Sequence, residues 1–215
     1  MKKITLNFLF VLLSYSLDLT AQNNRETAEL LSRYYTLSIY DTSINSGLTF
    51  FYFFPNNFND FCSVYGYETC PDTFLSSPLY DESLDHICLF CNLCGIVSPE
   101  AFYKKIIDIV KNGYWQADAV NYLRSCLTSH LLSEVDTPFL YPQTYHSTMT
   151  FLSVLDSYPT KEQLSFWEFF FDSRYIGTDD FKNIYNRIKK STKSRRKLYG
   201  LMKKGYESAD QHTDW

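Results

Sequence analysis

Glycine is scarce in this chain, seven residues among 215, and none of them cluster. A P-loop or a dinucleotide-binding turn needs glycines where backbone must touch phosphate, so nucleotide cradles of those kinds are excluded. The G-x-S-x-G elbow of the α/β-hydrolases and the H-E-x-x-H helix of the zinc proteases are also missing. Long apolar runs are missing too. No stretch, the first residues included, reaches the roughly 20 apolar residues that a bilayer-spanning helix takes. No fixed repeat period is present, although stacked helical hairpins would look much the same, and no composition break marks a second domain.

What is present begins with a sorting signal. Lys2 and Lys3 form a positive start, Phe8 to Leu17 a short apolar region, and Asp18-Leu19-Thr20-Ala21 a polar approach to a small residue. The pattern predicts a signal peptide over residues 1–21, cleaved after Ala21, and export to the periplasm or beyond. Residues 22–215 then form one soluble domain with no transmembrane segment, a length that can bury a core.

Six cysteines, Cys62, Cys70, Cys88, Cys91, Cys94 and Cys126, fit an oxidising compartment and are the candidate disulfide residues. Six allow 15 pairings, and spacing does not choose among them. Cys62 with Cys70 is the easy local bridge. A link from the Cys88–Cys94 segment to Cys126 would staple two core helices.

The helical grammar is clearest from Ser98 to Leu132. Ser98 is a preferred N-cap, Pro99 suits the first helical position, and Glu100 complements the helix dipole. Phe102, Ile106, Ile109 and Val110 recur at helical spacing, with Lys104, Lys105, Asp108 and Lys111 on the other side. Asn112-Gly113 predicts a stop through a left-handed glycine. A second helix from about Trp115 carries Ala119, Val120, Leu123, Cys126, Leu127 and Leu131, so the two read as a helical hairpin.

Elsewhere, a helix is expected from Asn24 to Tyr40. Leu48 to Phe54 is a buried helix end or extended connection, because so short an apolar run has no readable period. A short helix follows from Asn56 to Tyr65, and Tyr67 to Pro78 reads as a loop. Asp81 to Cys94 is apolar nearly all round and therefore buried. Ser133 to Tyr141 reads as a loop, and Pro142 opens a helix that Pro159 breaks. Thr160 and Gln163 match a capping box. Gly177-Thr178 starts the last region, with Phe181, Ile184, Tyr185 and Ile188 amphipathic, and the tail from Glu207 is frayed. The expected fold is all-α, a single-domain bundle of antiparallel helical hairpins with seven or eight helices. Its abundant aromatic residues supply the core.

Charge is unevenly placed. Residues 22–181 hold 8 basic and 20 acidic side chains, whereas residues 182–204 hold ten basic and no acidic ones. Lys189, Lys190, Lys193, Arg195, Arg196, Lys197, Lys203 and Lys204 make up the candidate binding patch. It is open to the chain's own acidic body, to an acidic protein, or to an anionic lipid surface. Nucleic acid is excluded as a partner by export.

Four patterns could carry chemistry. Cys88-x2-Cys91-x2-Cys94 has the spacing of a ferredoxin cluster run, but Ser98 stands where the fourth cysteine belongs and the residues fall on a helix rather than a loop. Zinc ligation by these cysteines with His86, with Cys126 and His130 as a second pair, meets the same objection. Glu82 and His86 could shuttle protons, and Cys126 with His130 could act as a nucleophile pair, although both sit at core or helix-start positions. The reading is therefore no catalytic residue, no metal and no cofactor. It is an exported helical protein acting by protein–protein binding, of inhibitor or immunity type; the alternative is a small exported hydrolase or metal-assisted enzyme.

Overall fold

A computed structural model describes residues 25–41, 44–70, 73–114, 118–132, 148–172, 185–186, 188–189 and 195–210. The signal and its cleavage point, Asn24, Trp115, the loop after Ser133, the opening at Pro142, Gly177-Thr178, Phe181 and Ile184 lie outside the described residues.

The fold is all-α, as expected. Helix α1 covers residues 25–40, α2 Ile44–Phe53 and α3 Phe58–Tyr65. After one β-hairpin come α4 (Ser83–Asn92) with a 3-10 turn over Leu93–Gly95, α5 (Pro99–Val110) and α6 (Asp118–Leu132). Then follow α7 (Thr148–Asp156), α8 (Thr160–Phe171) and α9 (Arg196–Asp210). The run from Leu48 thus belongs to a helix. Its buried Phe51 and Phe54 stack on Phe90 of α4, at ring separations of 5.7 and 4.1 Å.

Several expectations need correction. The stretch after Tyr65 is not irregular: β1 (Tyr67–Cys70) pairs antiparallel with β2 (Thr73–Ser76), Tyr67 opposite Ser76. Tyr, Thr and Phe suit a pleated surface, and turn-forming residues between two such runs are compatible with their pairing. The tail is helical as far as Asp210. Helix α4 is buried on one face only. Ser83, His86, Ile87 and Phe90 point inward, while Leu84 and Cys88 are exposed.

Helix α5 sits at the centre. The Ser98 side chain accepts from the Ala101 N–H at 3.2 Å, with Pro99 at the first turn, as the sequence implies. Its buried arc is wider than expected, taking in Tyr103, Ile107 and Lys105 beside Phe102, Ile106 and Ile109. The two segments expected to form a hairpin take other partners, since α5 packs chiefly on α7 and α6 chiefly on α4. Gly113 is not left-handed. A Cβ there would lie 2.6 Å from Phe169 Cδ2 and 3.0 Å from Phe58 Cδ2, so the position is glycine for want of room.

Two buried polar side chains close the core. The Arg124 guanidinium, from α6, donates to the carbonyls of Phe170 and Asp172 at the C-terminal end of α8, where the helix dipole is negative. Gln163 makes no capping box: Pro159 is the N-cap of α8, and Gln163 Nε2 donates to the carbonyls of Tyr158 (2.6 Å) and Asp156 (3.3 Å). The buried apolar residues form one contiguous cluster. Among the described residues, no helix is long and apolar enough to cross a membrane.

Candidate functional site

Helix α9 is amphipathic, and its two faces have different roles. Leu198, Leu201 and Met202 are buried against α8. Gly205 lies on the same side, where a Cβ would meet Trp167 Cβ at 2.5 Å and the Trp167 carbonyl carbon at 2.8 Å. Only a glycine lets the two backbones come so close.

The opposite face is cationic. With 3.6 residues per turn, positions 196, 197, 200, 203 and 204 share about a third of the helix circumference. Arg196, Lys197, Lys203 and Lys204 are exposed there. Gly200 lies among them, and a Cβ added to it would meet no atom within 4 Å. Lys203 pairs with Glu207 at 3.4 Å, both partners half exposed. Among the described residues, Arg196, Lys197 and Lys204 have no carboxylate at ion-pair distance.

The rest of the expected patch divides. Arg195 reaches back to Asp156 at the end of α7, 4.0 Å away. Lys189 stands 5.8 Å from the Tyr185 ring and 5.9 Å from the Tyr199 ring. Lys190 and Lys193 lie outside the described residues. Tyr199, which sequence reading missed, borders the cationic face. A hydrogen bond with Tyr185, and then the nearby Lys189 and Lys203, hold its hydroxyl below the ordinary tyrosine value. A tyrosine and a glycine spaced into a basic run were the available signals.

Of the other candidates for chemistry, His86 is buried and Cys126 is bonded. His86 is 1 % exposed. Its Nδ1 lies 3.0 Å from the Tyr65 hydroxyl, and the rings of Tyr35, Phe50 and Tyr65 surround it. Burial lowers its pKa to about 4, with Asp85 pulling weakly the other way. Glu82 is exposed at the start of α4, so the pair shares no open surface.

Cys126 is bonded to Cys91, which joins α6 to α4 and leaves no thiol for a nucleophile in this state. His130 Nε2 lies 3.1 Å from the Cys91 carbonyl. Cys62 is a free thiol whose pKa burial pushes up to about 12, so the Cys62–Cys70 bridge is not made. Cys88 is exposed and Cys94 buried. The side chain of Cys70 lies outside the described residues.

The sequence pattern puts Lys105 on the polar side of α5, yet it is 8 % exposed. At helical spacing it flanks Ile109, and α2 covers it. Its Nζ donates to the Tyr52 carbonyl at 3.3 Å and sits 5.0 Å from the Phe51 ring centre. Burial lowers its pKa to about 8.

Comparison of the chain with protein-family models, curated proteins and solved structures finds no match.

Proposed function

We propose that this is an exported, non-enzymatic helical protein that works by binding another protein, of the inhibitor or immunity kind, through the outer face of α9. The observation that carries the reading is the set of four exposed cations around Gly200, of which one has an ion-pair partner among the described residues. A face of one sign steers encounter with a partner of the other and selects against like-charged ones. The missing side chain at Gly200 lets an acidic partner surface approach the helix backbone.

An anionic lipid surface is the weaker candidate. Amphipathic helices hold to membranes by burying an apolar face as well as by charge. Here Leu198, Leu201 and Met202 are committed to α8. The Cys91–Cys126 bond supports export, because such bonds persist in oxidising compartments.

Two measurements test the reading. The mature protein from native cells should begin at Gln22 by mass spectrometry; a cytosolic product that retains Met1 contradicts export. Capture from an envelope fraction should recover a partner at low salt and lose it at high salt. Recovery of no salt-sensitive partner contradicts the binding role.

A further inference from the structure

Cys91 on α4 and Cys126 and His130 on α6 converge where those helices pack. Their two sulfurs and a ring nitrogen of His130 all lie within 4.8 Å of one another. We propose that the cluster has a second state: with the disulfide reduced, Cys91, Cys126 and His130 hold a zinc ion, which replaces the covalent bond as the clamp between α4 and α6. The inference is independent of the binding face on α9.

The chemistry balances with a dithiol reductant. The reductant gives two electrons and two protons, the S–S bond breaks, two thiols form, and the reductant leaves as its own disulfide. Zinc then displaces both thiol protons. Two thiolates cancel the charge of the ion, and the imidazole adds none, so a neutral site is left in a poorly solvated place. Cys126 is 8 % exposed, and Cys91 and His130 are half-buried.

Three features favour these ligands. Cys126 and His130 are four residues apart on one helix and so share a face. Zinc–sulfur bonds of about 2.3 Å in a tetrahedron put the sulfurs about 3.8 Å apart. Side-chain rotation can reach that separation from Cα atoms 6.0 Å apart, with the helices left in place. His130 Nε2 lies 3.1 Å from the Cys91 carbonyl, a contact that fixes the ring beside the two sulfurs. A backbone carbonyl on the second ring nitrogen is the usual outer-shell partner of a zinc-bound histidine.

Three protein ligands leave the fourth position of the tetrahedron to a water molecule. Among the described residues, Cys88 and Cys94 are not part of the group whose ligand atoms lie within 4.8 Å of one another.

The test uses the full chain, reduced with a phosphine and titrated with cobalt(II) as a spectroscopic stand-in for zinc. One cobalt per chain should bind, with thiolate-to-cobalt charge transfer and tetrahedral ligand-field bands, and zinc should displace it. Oxidised chain should show neither band. His130→Ala and Cys126→Ser should weaken binding at least about tenfold, the loss that even an outer-shell partner can cause, while Cys88→Ser should leave it unchanged. If reduction unfolds the chain, added metal should restore its helical circular dichroism. Reduced chain that takes up no cobalt overturns the proposal. So does binding that Cys88→Ser abolishes and His130→Ala does not, or helicity that metal fails to restore.

Discussion

The Tyr65 hydroxyl and His86 Nδ1 lie 3.0 Å apart inside the aromatic core, 21 residues apart in the chain. With the ring buried among Tyr35, Phe50 and Tyr65, the imidazole is held neutral. Its folded pKa of about 4 lies below the ordinary value of 6.5, so the unfolded chain takes up the proton first. Stability should therefore fall as pH drops from about 6.5 towards 4, by up to about 3 kcal/mol from this group. Urea unfolding at a series of pH values reads it. His86→Phe should flatten that part of the profile, and an unchanged slope in the variant contradicts the assignment.

Lys105 shows the same physics with the sign of charge that a lysine loses. Among the described residues, no carboxylate pairs with it. Its folded pKa of about 8 lies below the unfolded 10.5, so its ammonium costs stability at neutral pH, and the cost fades as pH rises between those values. Lys105→Met should stabilise the protein at pH 7 by about 1–2 kcal/mol, less than the shift alone corresponds to, because the contacts with Phe51 and the Tyr52 carbonyl are lost. The gain should shrink at pH 9.

These two residues mark where sequence reading reached and where it stopped. The cap at Ser98, the alternation along α5 and the basic face of α9 were legible because local chemistry decides them. Lys105 was not, because its position on the arc depends on α2 lying over it. The run from Leu48 has no period of its own, and its helix follows from the stacking of Phe51 and Phe54 on Phe90. Gly113 pointed to a stop but for the wrong reason: the constraint comes from Phe169 and Phe58, which are remote in the chain. The β-hairpin was hidden because its strands are four residues long and flank Pro71-Asp72.

Two glycines of α9 should respond oppositely to the same change. Gly200→Ala gains helix propensity in open space and should stabilise by about 0.5–1 kcal/mol. Gly205→Ala drives a methyl into Trp167 and should cost about 1–3 kcal/mol. Thermal melts of both variants check the pair, and like-signed shifts contradict the packing of α9 on α8.

The disulfide closes a loop spanning 35 residues of sequence separation. Its loss by reduction or by Cys126→Ser should lower stability by about 2–4 kcal/mol, a figure that follows from loop length. A urea midpoint measured with and without reductant, in metal-free buffer, reads the effect. An unchanged midpoint contradicts a stabilising Cys91–Cys126 bond.

The central claim is that the outer face of α9 is the binding surface. The direct measurement compares native chain with a variant carrying Arg196→Glu, Lys197→Glu, Lys203→Glu and Lys204→Glu, all exposed positions. Matched circular dichroism shows that both are folded, and each is used to capture partners from an envelope fraction at low salt. The native chain should recover a partner that the variant does not. Equal recovery by both would move the binding surface away from α9.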